Sequence, residues 1–262
     1  MKVIAYTNKG SLRRHNEDAL YFSGILIIGS SMNIPVEFAP DTPIGCCTVI
    51  DGMGGYKGGE EAARFIATSF LDGQYEWNIS TDNAEDKLRG IIDYASKRIA
   101  SFAVERPELA SMGAALAGIA VCNDAVIIFN AGDCRVYRLH EQYLEKLSHD
   151  HSYVQELYDR GEIEEDEMRT HPRKNVIYSS VCADPESISI YFRKINYVKN
   201  GINFFVCSDG VWEALSVDEI EDCFAGRDYY EGAYILAERL QALGEECKDN
   251  ISFLIVEVES WQ

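Results

Sequence analysis

The stretch Cys47 to Phe65, CTVIDGMGGYKGGEEAARF, limits what the chain can become more than any other. An apolar run ending at Ile50 reads as a buried strand, and it delivers Asp51 into a loop rich in glycine: Gly52, Gly54, Gly55 and Gly58, with Gly59 following. Glycine tolerates positive φ and close backbone approach, so the Gly52 carbonyl can reach an ion bound by Asp51. Beyond the loop, Glu60 and Glu61 open a helix with Ala62, Phe65, Ile66, Ser69 and Phe70 on one face. A lone strand, acidic turn and helix is more often an Asp capping its turn than a metal site. Only the rest of the chain can decide between the two.

Val3 to Tyr6 and Ala19 to Ile28 read as strands around the loop KGSLRRHNED, where Arg13, Arg14, Glu17 and Asp18 could pair with one another at the surface. Ser30 to Pro43 is an irregular insert. A long helix is expected over about Ala84 to Glu105, with Leu88, Ile91, Ile92, Ala95, Ile99 and Phe102 in its core stripe and Pro107 beyond its end. Ala114 to Cys122, Ala125 to Asn130, Val136 to Leu139 and Tyr143 to Leu147 read as a meander. A polar flap follows over about 152–180. Strands at Ser187 to Lys194, Asn203 to Cys207 and Ile251 to Val258 enclose short helices at Val217 to Phe224 and Tyr230 to Leu243. Strands joined by turns rather than crossover helices favour an α+β fold of packed antiparallel sheets with helices outside.

Four acidic strand ends then call for one explanation. Asp51-Gly52, Gly132-Asp133, Asp209-Gly210 and Asp249-Asn250 each put an Asp where an apolar strand begins or ends. Carboxylates that converge repel one another unless cations neutralise them. All-oxygen ligation selects Mg²⁺ or Mn²⁺ over zinc. Two such ions about 3.5–4 Å apart acidify a water and orient in-line attack on a phosphorus ester. Arg13 supplies a guanidinium fork for the phosphate oxygens. A Ca²⁺-stabilised binding module is the competing reading, although no segment has the twelve-residue EF-hand spacing.

Composition narrows the partners. A net charge of −19 argues against nucleic acid and anionic membranes, and much of it is a solvated face. The eight cysteines are scattered without CxxC pairs, which suits buried thiols in a reducing cytoplasm. The apolar run in MKVIAYTNKG is short for a signal peptide, and no segment reaches membrane-spanning length. One domain over residues 1–262, cytoplasmic and monomeric, is the expectation.

In order and spacing, RRHNED, VIDGMGGYKGGEEAA, FNAGDCRVYRL, LSHDHS, CSDGVWEAL and DNISFLIVEV resemble the metal-dependent serine/threonine protein phosphatases of the PPM (type 2C) family, above all the compact bacterial members. The resemblance spans essentially the whole chain. It implies an αββα sandwich of two antiparallel sheets with a dinuclear Mn²⁺/Mg²⁺ site at one end. By that resemblance Asp51 bridges both ions and the Gly52 carbonyl binds one, while Asp209 and Asp249 bind the other. Glu17 or Asp18 supports the site directly or through water, Asp133 serves a third ion, and Arg13, with Arg14 as the alternative, binds phosphate.

The substrates implied are phosphoproteins made by a serine/threonine kinase. Hydrolysis is expected by direct attack of water, since no cysteine sits in a phosphate-binding loop. Met53 and Tyr56 stand where family members carry a histidine, so the proton donor is unassigned, with a metal-bound water, Tyr56 and His15 as candidates. MGAALAG and YSSVC also depart from the family pattern, in regions tied to substrate recognition. A catalytically weak phosphoprotein-binding module and a phosphatase of small metabolites are the alternative readings.

Overall fold

The computed structural model describes residues 1–40, 45–54, 58–73, 80–196 and 201–259. It opens on β1 (Lys2–Asn8), followed by β2 (Asp18–Phe22) and β3 (Ile25–Ile28). The single strand expected over Ala19 to Ile28 is a hairpin, because Ser23 and Gly24 both take positive φ and turn the chain in two residues. The irregular insert contributes β4 (Val36–Phe38), which pairs with β1. β5 (Gly45–Met53) and α1 (Gly58–Gly73) flank the glycine loop, and α2 (Ala84–Glu105) has the bounds its apolar stripe predicts.

β6 (Gly113–Val121), β7 (Ala125–Ala131), β8 (Arg135–His140) and β9 (Tyr143–Lys146) follow, but not as one meander. β6 and β7 lie in one sheet, β8 and β9 in the other. The chain crosses between sheets at Gly132, whose φ of +107 is open to glycine, and Asp133 sits at that crossing. The flap carries α3 (Tyr153–Asp159), capped by the Ser152 hydroxyl, and α4 (Glu165–Met168). β10 (Val181–Cys182) comes next, and then β11 (Tyr191–Asn196), which starts later than expected because Pro185–Ser187 form a 3₁₀ turn capped by Asp184. β12 (Ile202–Cys207), α5 (Asp209–Trp212), α6 (Val217–Phe224), α7 (Tyr229–Ala242) and β13 (Ile251–Val258) complete the described chain.

The strands form two antiparallel sheets, ordered β4-β1-β13-β12-β8-β9 and β11-β7-β6-β5-β2-β3, with β10 beside β6. Val49, Ala117, Phe204, Val206 and Leu254 fill the space between them. α1 and α2 cover the outer face of the second sheet through Ile66, Phe70, Leu88 and Ile92. α6 and α7 cover the first through Ile220, Phe224, Leu236 and Leu240. Burial on both faces explains why the central strands read as unbroken apolar runs instead of alternating. Each large side chain so enclosed contributes about 1.5–3 kcal/mol. The result is the expected helix–sheet–sheet–helix order. Seven of the eight cysteines are buried. Among the described residues no helix is long and apolar enough to cross a membrane.

Candidate active site

Antiparallel pairing alone brings the first two carboxyls together: Asp18 opens β2 and stands opposite Asp51 near the end of β5. The other sheet supplies the rest. β12 runs into Ser208, and Asp209 is the first residue of α5. Asp249 lies two residues before β13. A Cβ on Gly210 would lie 1.9 Å from the Asn250 carbonyl oxygen, so α5 can start this close to β13 only with glycine there. A Cβ on Gly52 would likewise lie 2.1 Å from the Gly59 carbonyl oxygen, which lets the start of α1 pack onto the end of β5. The Ser208 hydroxyl donates to Asp18 Oδ2 at 3.1 Å and ties the two sheets across this rim.

The charges gathered here act on one another. Burial holds the Asp51 carboxyl well above the usual carboxylate range, with Asp209, Asp18, Asp249 and Asp133 adding repulsion. Asp209 is raised by burial and then by Asp133, Asp249 and Glu213, with Asp51 acting the other way. Asp18, 2% exposed, is pushed up to about 7 by burial. Burial raises Glu17 too, against the pull of Arg13.

Arg13 is not paired with its loop neighbours, as the surface reading allowed. Its Nη2 donates to Asp249 Oδ2 at 2.7 Å, the other side chain across the whole length of the chain. Asn250 explains how the loop reaches there. Its Oδ1 accepts from the Glu17 amide at 2.8 Å, and its Nδ2 donates to the carbonyls of Lys9 and His15 at 3.0 Å each. Asn16 fixes the loop from below, donating to Thr7 Oγ1 and to the Ser30 carbonyl.

Asp133, 5% exposed, is pushed up to about 7 by burial and by Asp150 and Glu213. The Trp212 indole donates to its carbonyl at 2.9 Å. Arg135 stacks on that indole, 3.6 Å from the ring centroid, and pairs with the fully buried Asp150 at 2.7 Å. His151 accepts from the Gly132 amide through Nδ1 and donates its own amide to the Gly132 carbonyl. This scaffold is the structural content of the LSHDHS segment. Glu213, one turn beyond Asp209, pairs with Lys174 of the flap and leaves a buried oxygen, Oε1, without a partner.

Sequence reading missed Asn250, Glu213 and Ser208. The signals were present, in the Asn that follows Asp249 and in a Glu four residues after Asp209, one helical turn on. The Met53 side chain packs, half-buried, against the core between the sheets and offers no proton. Gly55 and Tyr56 lie outside the described residues.

Two buried carboxylate oxygens at the rim, Asp18 Oδ1 and Asp209 Oδ1, have no hydrogen-bond partner. Unpartnered oxygens among repelling acids fit hard divalent cations. Among the described residues no three acidic, thiol or imidazole groups already converge on one point, and Asp249 is paired with Arg13.

An antiparallel sandwich that collects carboxylates from four strand ends beside an arginine is the framework of a metal-dependent phosphatase. The chain belongs to the protein phosphatase 2C family, whose model matches residues 40–246. It is 29% identical over 258 residues to the serine/threonine phosphatase stp of Listeria welshimeri, covering 96% of this chain and 93% of that one. It superposes on the crystal structure of serine/threonine phosphatase Stp1 from Staphylococcus aureus with a TM-score of 0.78 and 26% identity, over 98% of this chain and 95% of that one. It shares its fold with the catalytic domain of the serine/threonine protein phosphatase PstP in complex with two manganese ions, at a TM-score of 0.76 and 22% identity, covering 99% and 100% of the two chains.

Proposed function

We propose that this protein hydrolyses phosphoserine and phosphothreonine esters in proteins, using two Mn²⁺ or Mg²⁺ ions held at the acidic rim. The observation that carries the reading is the pair of orphaned, buried oxygens on Asp18 and Asp209, set among acids that repel one another when ionised. Asp51, the Gly52 carbonyl, Asp209 and Asp249 would hold the two ions between them. Asp18 and Glu17 act directly or through water. Asp133, with Glu213 beside it, suits a weaker third ion. When bound, the ions supply a water acidified to near neutrality and aimed at phosphorus.

Arg13 binds the non-bridging phosphate oxygens, leaving Asp249 as it does so. The leaving oxygen needs a proton, and His15, exposed in the same cleft as Arg13, is the described imidazole placed to give one. The relatives named as serine/threonine phosphatases support phosphoproteins as substrates and a serine/threonine kinase as the opposing enzyme. A monomer in the cytoplasm is the matching state.

A catalytically weak binding module is the second reading, favoured by Met53 where a proton-donating histidine is found in relatives. One assay separates the two. Purified protein is given an aryl phosphate, a phosphothreonine peptide and a sugar phosphate, each with Mn²⁺, with Mg²⁺ and with chelator. Metal-dependent turnover that favours the peptide over the sugar phosphate is the expected result. Equal turnover with chelator overturns the metal reading, and preference for the sugar phosphate overturns the protein substrate.

A further inference from the structure

Beside the acidic rim lies a cleft of about 520 Å³ whose wall is unusual for so acidic a chain. Arg13, Arg14 and Arg106 line it, with Glu17, Glu108 and His15. Arg13 is committed to Asp249, and Arg106 forms only a long ion pair with Glu108, at 3.8 Å, and makes no side-chain hydrogen bond among the described residues. Arg14 makes no hydrogen bond or ion pair among the described residues. A net charge of −19 makes two guanidinium groups facing one cleft, neither hydrogen-bonded through its side chain among the described residues, poor candidates for general solubility.

Both arginines are mounted on fixed backbone. Asn250 pins the loop on each side of Arg14 through the Lys9 and His15 carbonyls. Arg106 closes α2, donating its amide to the Phe102 carbonyl while its own carbonyl accepts from Leu109. Planar forks held this way bind phosphate or carboxylate in bidentate fashion without a large loss of side-chain freedom.

Resting on the phosphatase reading above, we propose that this cleft is a subsite for a second anionic group on the substrate, held by Arg14 and Arg106 while Arg13 takes the reacting phosphoryl group. An equant cleft of about 520 Å³ is roughly 8 Å across and extended peptide advances about 3.3 Å per residue, so two or three residues cross it. The second anion therefore lies two or three residues from the phosphoresidue. It is either an acidic side chain or another phosphoryl group, which present the same oxygens to a guanidinium.

The test compares kcat/KM for four Mn²⁺-dependent substrates: an aryl phosphate, a phosphothreonine peptide with neutral flanks, the same peptide with Asp or Glu two and three residues away on either side, and a doubly phosphorylated version. The parent protein is expected to prefer the anionic peptides over the neutral one by roughly tenfold, the scale of one charge-assisted contact at an exposed site. Arg106→Ala removes most of that preference and leaves aryl phosphate turnover unchanged. Arg14→Ala lowers the anionic-to-neutral ratio further when combined with it, and Arg106→Glu inverts the preference. The ratio between the acidic and doubly phosphorylated peptides tells which anion the subsite takes. A parent protein that treats neutral and anionic peptides alike, or an Arg14→Ala/Arg106→Ala variant that keeps the preference, overturns the subsite. Absence of any metal-dependent aryl phosphate turnover overturns the phosphatase reading itself.

Discussion

At the scale of single residues, the site separates groups that carry charge from groups that hold them in place. Asp209 is of the first kind: half-buried, raised by neighbouring acids, and with one buried oxygen unpartnered. Asp209→Asn keeps the shape and removes the charge. Metal-dependent hydrolysis of an aryl phosphate should fall on the order of 10²-fold or more, since even the partners of metal ligands account for up to about that much. The variant's melting temperature in chelator should hold or rise, because a repelling carboxylate is gone. Turnover at the parent level would remove Asp209 from the ligand set. Asn250 is of the second kind, and its three hydrogen bonds to the loop carrying Arg13 go unreplaced in Asn250→Ala. Denaturant titration should show a loss of roughly 2–4 kcal/mol. Binding of inorganic phosphate should weaken with it, as the loop no longer delivers Arg13.

At the scale of elements, what was legible in the sequence followed from burial patterns, and what was not depended on how strands are shared between sheets. α2 could be read to the residue because one apolar stripe runs between an acidic first turn and Pro107. The four acidic strand ends were legible as a pattern, Asp51, Asp133, Asp209 and Asp249, because each interrupts an apolar run. That β7 and β8 belong to different sheets was not legible, since one positive φ at Gly132 decides it and no periodicity records it. The hairpin at Ser23 and Gly24 was hidden by an apolar run on both sides. α5 was missed because four residues show no helical repeat, yet it sets Asp209 in place. Gly210 makes that placement testable. In Gly210→Ala the new methyl meets the Asn250 carbonyl at 1.9 Å, and backbone must move. A loss of roughly 2–4 kcal/mol is expected in denaturant unfolding, with metal affinity falling alongside. A variant of unchanged stability and affinity would mean that α5 and β13 are not clamped together at this rim.

At the scale of the whole molecule, the two sheets are held together by a core at the centre and crowd carboxyl groups together at one end. Asp18 and Asp133 titrate near 7, and Asp51 and Asp209 well above the usual carboxylate range, in each case through burial first. An acid whose pKa is raised by folding binds protons in the native state that the unfolded chain has released. In chelator, stability is therefore highest below about pH 4 on account of these groups and is lost as pH rises through about 7, each such proton contributing a slope of about 1.4 kcal/mol per pH unit. His151, lowered by burial, slopes the other way at the acid end. That contribution is common to protein with and without metal, so the difference between the two isolates the carboxylates. Divalent ions replace the protons, and the rise in melting temperature on adding Mn²⁺ should accordingly be small at pH 5.5 and large at pH 8. A rise of equal size at both values would mean that the acidic rim is not where the ions bind, and the link between the repulsion of these strand ends and their chemistry would be broken.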